Sequence, residues 1–265
     1  MLYRKFSPRG LAKRYVKAFW ILEDGAPSRD VQRILPDGRC ELILNLAQPF
    51  ETVKAGRWTK QPQHFLVGQI TRPMLLRPCG PAAILGVSFH PEGASLLLNV
   101  SGDEFTDQQI ALDQISRCLR NEILPVHDLA TWPSRLAAVE NTIAAIARAS
   151  GKYDRQISFA VSEFERTFGT APVGRVSDQL GLTRRHFERR FKAAVGISPK
   201  LFCRMQRVQH VLRCMDDPRS KWADTAIACG YYDQAHLIRD FREFAGEPPT
   251  ALLNEEIGLA RHFAR

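Results

Sequence analysis

The sequence predicts an α+β protein: a β-rich amino-terminal domain, sandwich or barrel-like, followed by an all-α domain of two helix-turn-helix units joined by a long helix. Three observations carry this expectation. Short apolar or alternating runs broken by turn residues fill the first 112 residues, helical periodicity takes over from Asp113, and the stretch Thr183–Pro199 recurs 50 residues on as Asp233–Pro249. A length of 265 residues suits two domains, expected at 1–150 (effector or dimerisation type, with trailing helices) and 151–265.

The strand expectations are Glu41–Leu46, Phe65–Val67, Met74–Leu76 and Ile84–Phe89. Turn signals separate them: Pro36-Asp37-Gly38, Gly56, Pro62, Pro73, Pro78 and Gly80-Pro81. Short strands with frequent turns read as a sandwich or barrel. Gly93–Val100 is expected as a short helix, although a four-residue apolar run fits a strand as well.

After Pro133, Ser134–Ala149 places Leu136, Val139, Ile143 and Ile146 on one helical face, with Ser134 as the cap. That stripe packs on its own domain or forms a dimer seam. Ser150-Gly151-Lys152 is the expected linker. Asp154–Phe168 is a further amphipathic helix (Ile157, Val161, Phe164, Phe168), stopped at Gly169, and Pro172 allows a fresh start.

The repeat aligns His186 with His236, Phe187 with Leu237, Arg189 with Arg239, Phe191 with Phe241, Gly196 with Gly246 and Pro199 with Pro249. Each copy follows a short helix ending at glycine, Val173–Leu180 before Gly181 and Lys221–Cys229 before Gly230. Helix, glycine turn, helix is the helix-turn-helix arrangement. Small residues Ser177 and Ala226 let the second helix approach, Thr183 and Asp233 are N-cap types, and Leu182 with Phe187 suits a staple across the cap. With Phe187 and Phe191 inward, Arg184, Arg185, Glu188, Arg189 and Lys192 face outward; the second copy presents Gln234, Ala235, His236 and Arg239. Such a face suits the major groove, where arginine bonds guanine edges, glutamine reads adenine and alanine touches the thymine methyl. Glu188 either accepts from a cytosine amino group or pairs with Lys192. Ser198-Pro199 opens the connecting helix, with Phe202, Met205, Leu212 and Met215 inward; from Ser198 to Met215 it spans roughly 26 Å.

Composition narrows the function classes. Lys plus Arg is 37 against 28 Asp plus Glu, a net charge of +9, and Arg175–Arg213 holds ten basic residues against Asp178 and Glu188. That local surplus points to a polyanion. Six scattered cysteines without C-x-x-C read as buried thiols in a reducing compartment, and the dispersed histidines offer no H-x-x-x-H pair. No cofactor or metal is therefore expected. Neither a membrane-length apolar run nor a secretory leader occurs, so the expected location is cytoplasmic, with no membrane partner.

Residues LGLTRRHFERRFKAAVGISPK and CGYYDQAHLIRDFREFAGEPPTAL resemble the AraC family of bacterial transcription regulators over about Asp154 to Leu253. Thr225 departs from that pattern, standing where the family usually has isoleucine. Pro36-Asp37-Gly38 and Phe89-His90-Pro91-Glu92-Gly93-Ala94 are similar to a subgroup of the sensor regions fused to such regulators. The resemblance implies duplex DNA as partner, base-reading positions at Arg185, Glu188, Arg189, Gln234, Ala235, His236 and Arg239, and a small-molecule effector or dimerisation at the front domain. RNA polymerase and a second copy are further partners it admits. Two rivals are weighed. A DNA-modifying or small-molecule enzyme with an AraC-type tail would need a site around Cys40, Cys79, His64 and His90, which show no spaced nucleophile, base and orienter, and a repair methyl acceptor would need four zinc-binding cysteines near the amino end, where only Cys40 and Cys79 stand, so no enzyme is expected. A helical protein-interaction module would bind without steep salt dependence.

Overall fold

The computed structural model describes residues 1–28, 30–115, 117–150, 152–214 and 222–252. Strands occupy its first 111 residues: β1 (Leu2–Phe6), β2 (Val16–Asp24), β3 (Gln32–Ile34), β4 (Glu41–Asn45), β5 (Glu51–Lys54), β6 (Arg57–Lys60), β7 (His64–Val67), β8 (Met74–Arg77), β9 (Ala82–Phe89) and β10 (Gln109–Ala111). All four strand expectations hold to within two residues, and the sandwich they suggested is present. A six-stranded sheet runs β1-β2-β9-β4-β7-β10 and a four-stranded sheet runs β3-β8-β5-β6.

The larger sheet is buried on both faces. In the β4–β9 register Leu42 opposes Val87 and Leu44 opposes Leu85, and these join the core beneath the helices; Ile43 and Ile84 point the other way with Trp20, against Phe50 and Leu76 of the smaller sheet's side. Double burial explains why Ile84–Phe89 reads as a continuous apolar run and not as an alternation. Gly86 opposes Trp20 across the β2–β9 pair, and a Cβ there would lie 1.9 Å from the indole. The ring occupies the space that a side chain would need.

Helices follow: α1 (Gly93–Leu98), α2 (Leu112–Ile115), α3 (Arg117–Ile123), α4 (Trp132–Ser150), α5 (Arg155–Arg166), α6 (Val173–Gln179), α7 (Arg184–Val195), α8 (Pro199–Cys214), α9 (Trp222–Ala228), α10 (Gln234–Ala245) and α11 (Pro249–Leu252). Gly93–Val100 is indeed helical, ending where Asn99 turns left-handed at φ 55°. Helix α4 starts two residues before the expected Ser134; Thr131 Oγ1 accepts from the Ser134 amide (3.3 Å), so Thr131 occupies the capping role. The α4 stripe packs on its own domain, with Val139 and Ile143 buried among the sheet residues, which removes it as a dimer seam. Phe168 also departs from expectation. It sits past α5 at φ 49°, half-buried and stacked on His210, instead of continuing the buried face of Ile157, Val161 and Phe164. Gly151 of the expected linker, Lys221, Met215 and Leu253 lie outside the described residues.

A second core joins all the helices from α5 to α11, and Leu35 of the amino-terminal domain inserts into it. The Pro36-Asp37-Gly38 turn therefore does more than precede a strand. Its Pro36 and Asp37 carbonyls accept from Gln209 Nε2 (2.7 Å) and Gln206 Nε2 (3.3 Å) of α8, and Arg39 bridges Asp37 and Glu165 at 3.4 and 3.5 Å.

Candidate nucleic-acid interface

In the first unit, α6 and α7 meet at Gly181 (φ +65°), where the Leu182 amide donates back to the Ser177 carbonyl (3.0 Å) and Ser177 is buried. Thr183 caps α7 by accepting from the His186 amide. Phe187 and Phe191 are fully buried and pack on Phe164 and, for Phe191, on Phe202, with ring centroids 5.7–6.4 Å apart. This anchoring leaves Arg184, Arg185, His186, Arg189 and Lys192 exposed.

Glu188 is half-buried, and its partner is Arg184 at 2.9 Å, one turn earlier, and not Lys192. The Lys192 amine instead lies 4.0 Å from Asp103 of the amino-terminal domain. Both pairs are exposed surface contacts, worth about 0.2–1 kcal/mol each.

The second unit repeats the construction. The Tyr231 amide donates to the Ala226 carbonyl (2.9 Å) around Gly230 (φ +77°), Asp233 caps α10 by accepting from the His236 amide (2.7 Å), and Leu237 and Phe241 are fully buried. Gln234, Ala235 and Arg239 are exposed. His236 is half-buried with its ring edge-on to Tyr231, so it is less available than its neighbours. Thr225 is buried in α9. Sequence reasoning passed over Tyr232, at 86% the most exposed large hydrophobic side chain among the described residues, in the turn of this unit; the only signal was its place between a glycine turn and the Asp233 cap.

Not every cation in the basic window faces outward. Arg190 ties α7 to the start of α5 through Asp154 and Gln156 (2.7 Å each), Arg204 holds Asp240 (2.8 Å) and Glu243, and Arg207 donates to the Gly169 carbonyl (2.7 Å). These three serve the fold. The remaining surplus is concentrated on the α7 face.

Helices α7 and α10 both end against the amino-terminal domain. Helix geometry leaves the last carbonyls without partners. For α7 they are met by Ser95, whose hydroxyl donates to Ala194, and by Thr106, whose hydroxyl donates to Gly196 (2.8 Å); for α10, Arg33 donates to Ala245 (2.6 Å). Gly102 lies so close to Gly196 that a Cβ on it would be 2.7 Å from the Gly196 nitrogen.

Two cavities flank this junction. One, about 80 Å³, lies between the sheets and is lined by Trp20, Leu22, Ile34, Phe50, Phe65 and Leu76 among others. The other, about 510 Å³, is a polar cleft between the domains, where Tyr3, Lys5, Lys17, Asp37, Arg39 and Glu41 face Gln206, Gln209 and Arg213. They share Trp20, Asp37, Arg39 and Glu41. Burial, reinforced by Asp37, pushes the Glu41 carboxyl up to about 7, although Trp20 Nε1 donates to it at 2.7 Å. Burial raises Asp37 as well, against the pull of Arg39.

Residues 4–111 match a family described as a domain of unknown function (DUF6597), and residues 176–255 match one described as a helix-turn-helix domain. The regulatory protein HrpB of Ralstonia nicotianae is 28% identical over 137 residues, 51% of this chain and 28% of that protein, so the chain spans little more than a quarter of its relative. Among solved structures, ToxT of Vibrio cholerae is similar at 10% identity over 89% of this chain and 97% of that one, with a TM-score of 0.47. ToxT of Vibrio cholerae O395 is similar at 10% identity over 89% and 96%, also at 0.47. No helix among the described residues is long and apolar enough to cross a membrane.

Proposed function

We propose that this chain, whose carboxyl-terminal domain is an AraC-type pair of helix-turn-helix units, is a sequence-specific transcription regulator that reads duplex DNA through α7 and α10. The observation that carries the reading is the twofold construction: two capped helices, each with its apolar side locked in one core and its polar side in solvent. Arg185 and Arg189 are assigned to base edges, with Glu188 beside them, and Arg184 and Lys192 to phosphates. In the second unit Gln234, Ala235 and Arg239 read bases, with a lesser share for His236. Helix α8, 16 residues and about 24 Å long at ~1.5 Å per residue, suits two readers set in successive major grooves.

Control by a small molecule belongs to the cleft between the domains. Ligand pockets typically measure ~300–1,000 Å³, a range that holds the 510 Å³ cleft, whereas the 80 Å³ space between the sheets falls below it. An occupant there would touch the Asp37–Arg39 turn and α8 together, and so bias how the readers are held. The test is selection from random duplexes with the full chain, followed by a salt titration. Neutralising ~6 phosphates predicts log affinity falling by about 5 per decade of salt. Selection without enrichment, or binding indifferent to salt, refutes the reading and favours a protein-interaction module.

A further inference from the structure

Two helices that meet between the reader units bring three metal-type donors to one point. His210 and Cys214 stand one turn apart on α8, Cys229 closes α9, and their donor atoms all lie within 4.8 Å of one another. Residues four apart share a helix face, so the spacing His-x-x-x-Cys aims both α8 side chains at Cys229. Neither H-x-x-x-H nor C-x-x-C occurs in the sequence; the donors come together through this mixed spacing and the approach of α9 to α8.

Distances decide what the cluster suits. The two sulfurs are 4.0 Å apart. A disulfide needs ~2.05 Å, about half of that. Two thiolates on one tetrahedral ion, each at ~2.3 Å, are ~3.8 Å apart, close to what is observed. The His210 ring is also held in place. It lies flat on Phe168, with centroids 3.9 Å apart and planes within 11°, and its Nδ1 is buried with no hydrogen-bond partner among the described residues. Cys229 is fully buried while Cys214 is partly open, so the cluster has one sealed side and one side facing solvent.

We propose that His210, Cys214 and Cys229 form a binding site for a thiophilic divalent ion of the zinc class, with three protein ligands and a fourth position open to water or an added ligand. Coordination replaces two S–H bonds by two metal–sulfur bonds and releases two protons per ion. The ion joins the end of α8 to α9 across the segment 215–221, and thereby fixes the second helix-turn-helix unit to the rod that spaces it from the first. Metal occupancy then becomes a control on reader geometry, separate from the cleft.

The test uses the full chain, reduced and metal-free, titrated first with Co²⁺ and then with Zn²⁺. One equivalent of cobalt should give the intense visible bands of a tetrahedral site and a thiolate-to-cobalt charge-transfer band, both erased by zinc. Cys214→Ser and His210→Gln should weaken uptake by more than the roughly 10–100-fold typical of outer-shell changes, while Cys79→Ser, at an exposed cysteine, leaves it unchanged. Zinc should raise the melting temperature of the wild type and not of Cys214→Ser, whose fold is checked by circular dichroism. A pale octahedral spectrum, uptake unchanged in Cys214→Ser, or a Cys214–Cys229 disulfide in a protein whose reduced form takes no cobalt overturns the proposal. None of these readouts involves DNA, so the site stands or falls independently of the regulator reading.

Discussion

Replacing Gly38 by alanine should destabilise the protein by about 2–5 kcal/mol, and the structure supplies both parts of that figure. Gly38 sits at φ +83°, a left-handed conformation that costs a side-chain-bearing residue ~1–2 kcal/mol. The added Cβ would also stand 2.7 Å from Phe202 Cε2, well inside the ~3.5–4.0 Å at which carbon atoms attract. Phe202 cannot yield, because it is fully buried between Phe164 and Phe191; overpacking of this kind costs ~1–3 kcal/mol. Relief by lifting the turn would instead stretch the bonds that Gln206 and Gln209 donate to it. Gly56→Ala is the matched control: its φ is +74°, but nothing lies within 4 Å of the new atom, so it should incur only the conformational part. Urea unfolding followed by tryptophan fluorescence measures both variants. If Gly38→Ala loses no more stability than Gly56→Ala, the turn does not press on Phe202 and the tight junction between domains is refuted.

Three further outcomes are expected. Arg189→Ala should lose ~1–3 kcal/mol of discrimination between cognate and random duplex, whereas Lys192→Ala should weaken both alike and lower the salt slope by about 1, as measured by titrating each duplex at several salt concentrations. Equal losses on both duplexes for Arg189→Ala would remove its assigned role. Phe191→Ala should cost ~3–5 kcal/mol in chemical denaturation, since the ring is fully buried among Phe164, Phe187 and Phe202; an unchanged midpoint would contradict the face assignment. For pH, burial and then His127, 2.8 Å away, lower the His64 imidazole from 6.5 to about 4. Between those values the unfolded chain binds a proton that the folded ring refuses, so stability falls on acidification through that window. Glu41, shifted upward, contributes the opposite slope, losing stability as pH rises from 4.5 to about 7. The readout is therefore the melting-temperature difference between wild type and His64→Leu, which should move against the wild type as pH drops from 6.5 to 4; a constant difference would show that the ring is not shielded.

The amino-acid order by itself determined the division into strands and helices, the repeat, and the caps and inward faces of α7 and α10. Each of those depends on residues near one another along the chain. Thr183 and Asp233 bond amides three residues on, Phe187 and Phe191 share a face because they are four apart, and glycine at Gly181 and Gly230 permits the positive φ of the turns. Tertiary structure alone decided everything that joins distant segments. Arg190, Arg204 and Arg207 counted towards the same basic surplus as the outward arginines of α7, and only their partners Asp154, Asp240 and the Gly169 carbonyl, 36 to 38 positions away, show their structural use. The same holds for the Pro36-Asp37-Gly38 turn on α8, for Ser95 and Arg33 on the ends of the reader helices, and for Cys229 beside His210 and Cys214. Local backbone preference extends over a turn or two of chain, whereas a charge or a thiol acts on whatever neighbour packing brings within a few ångströms.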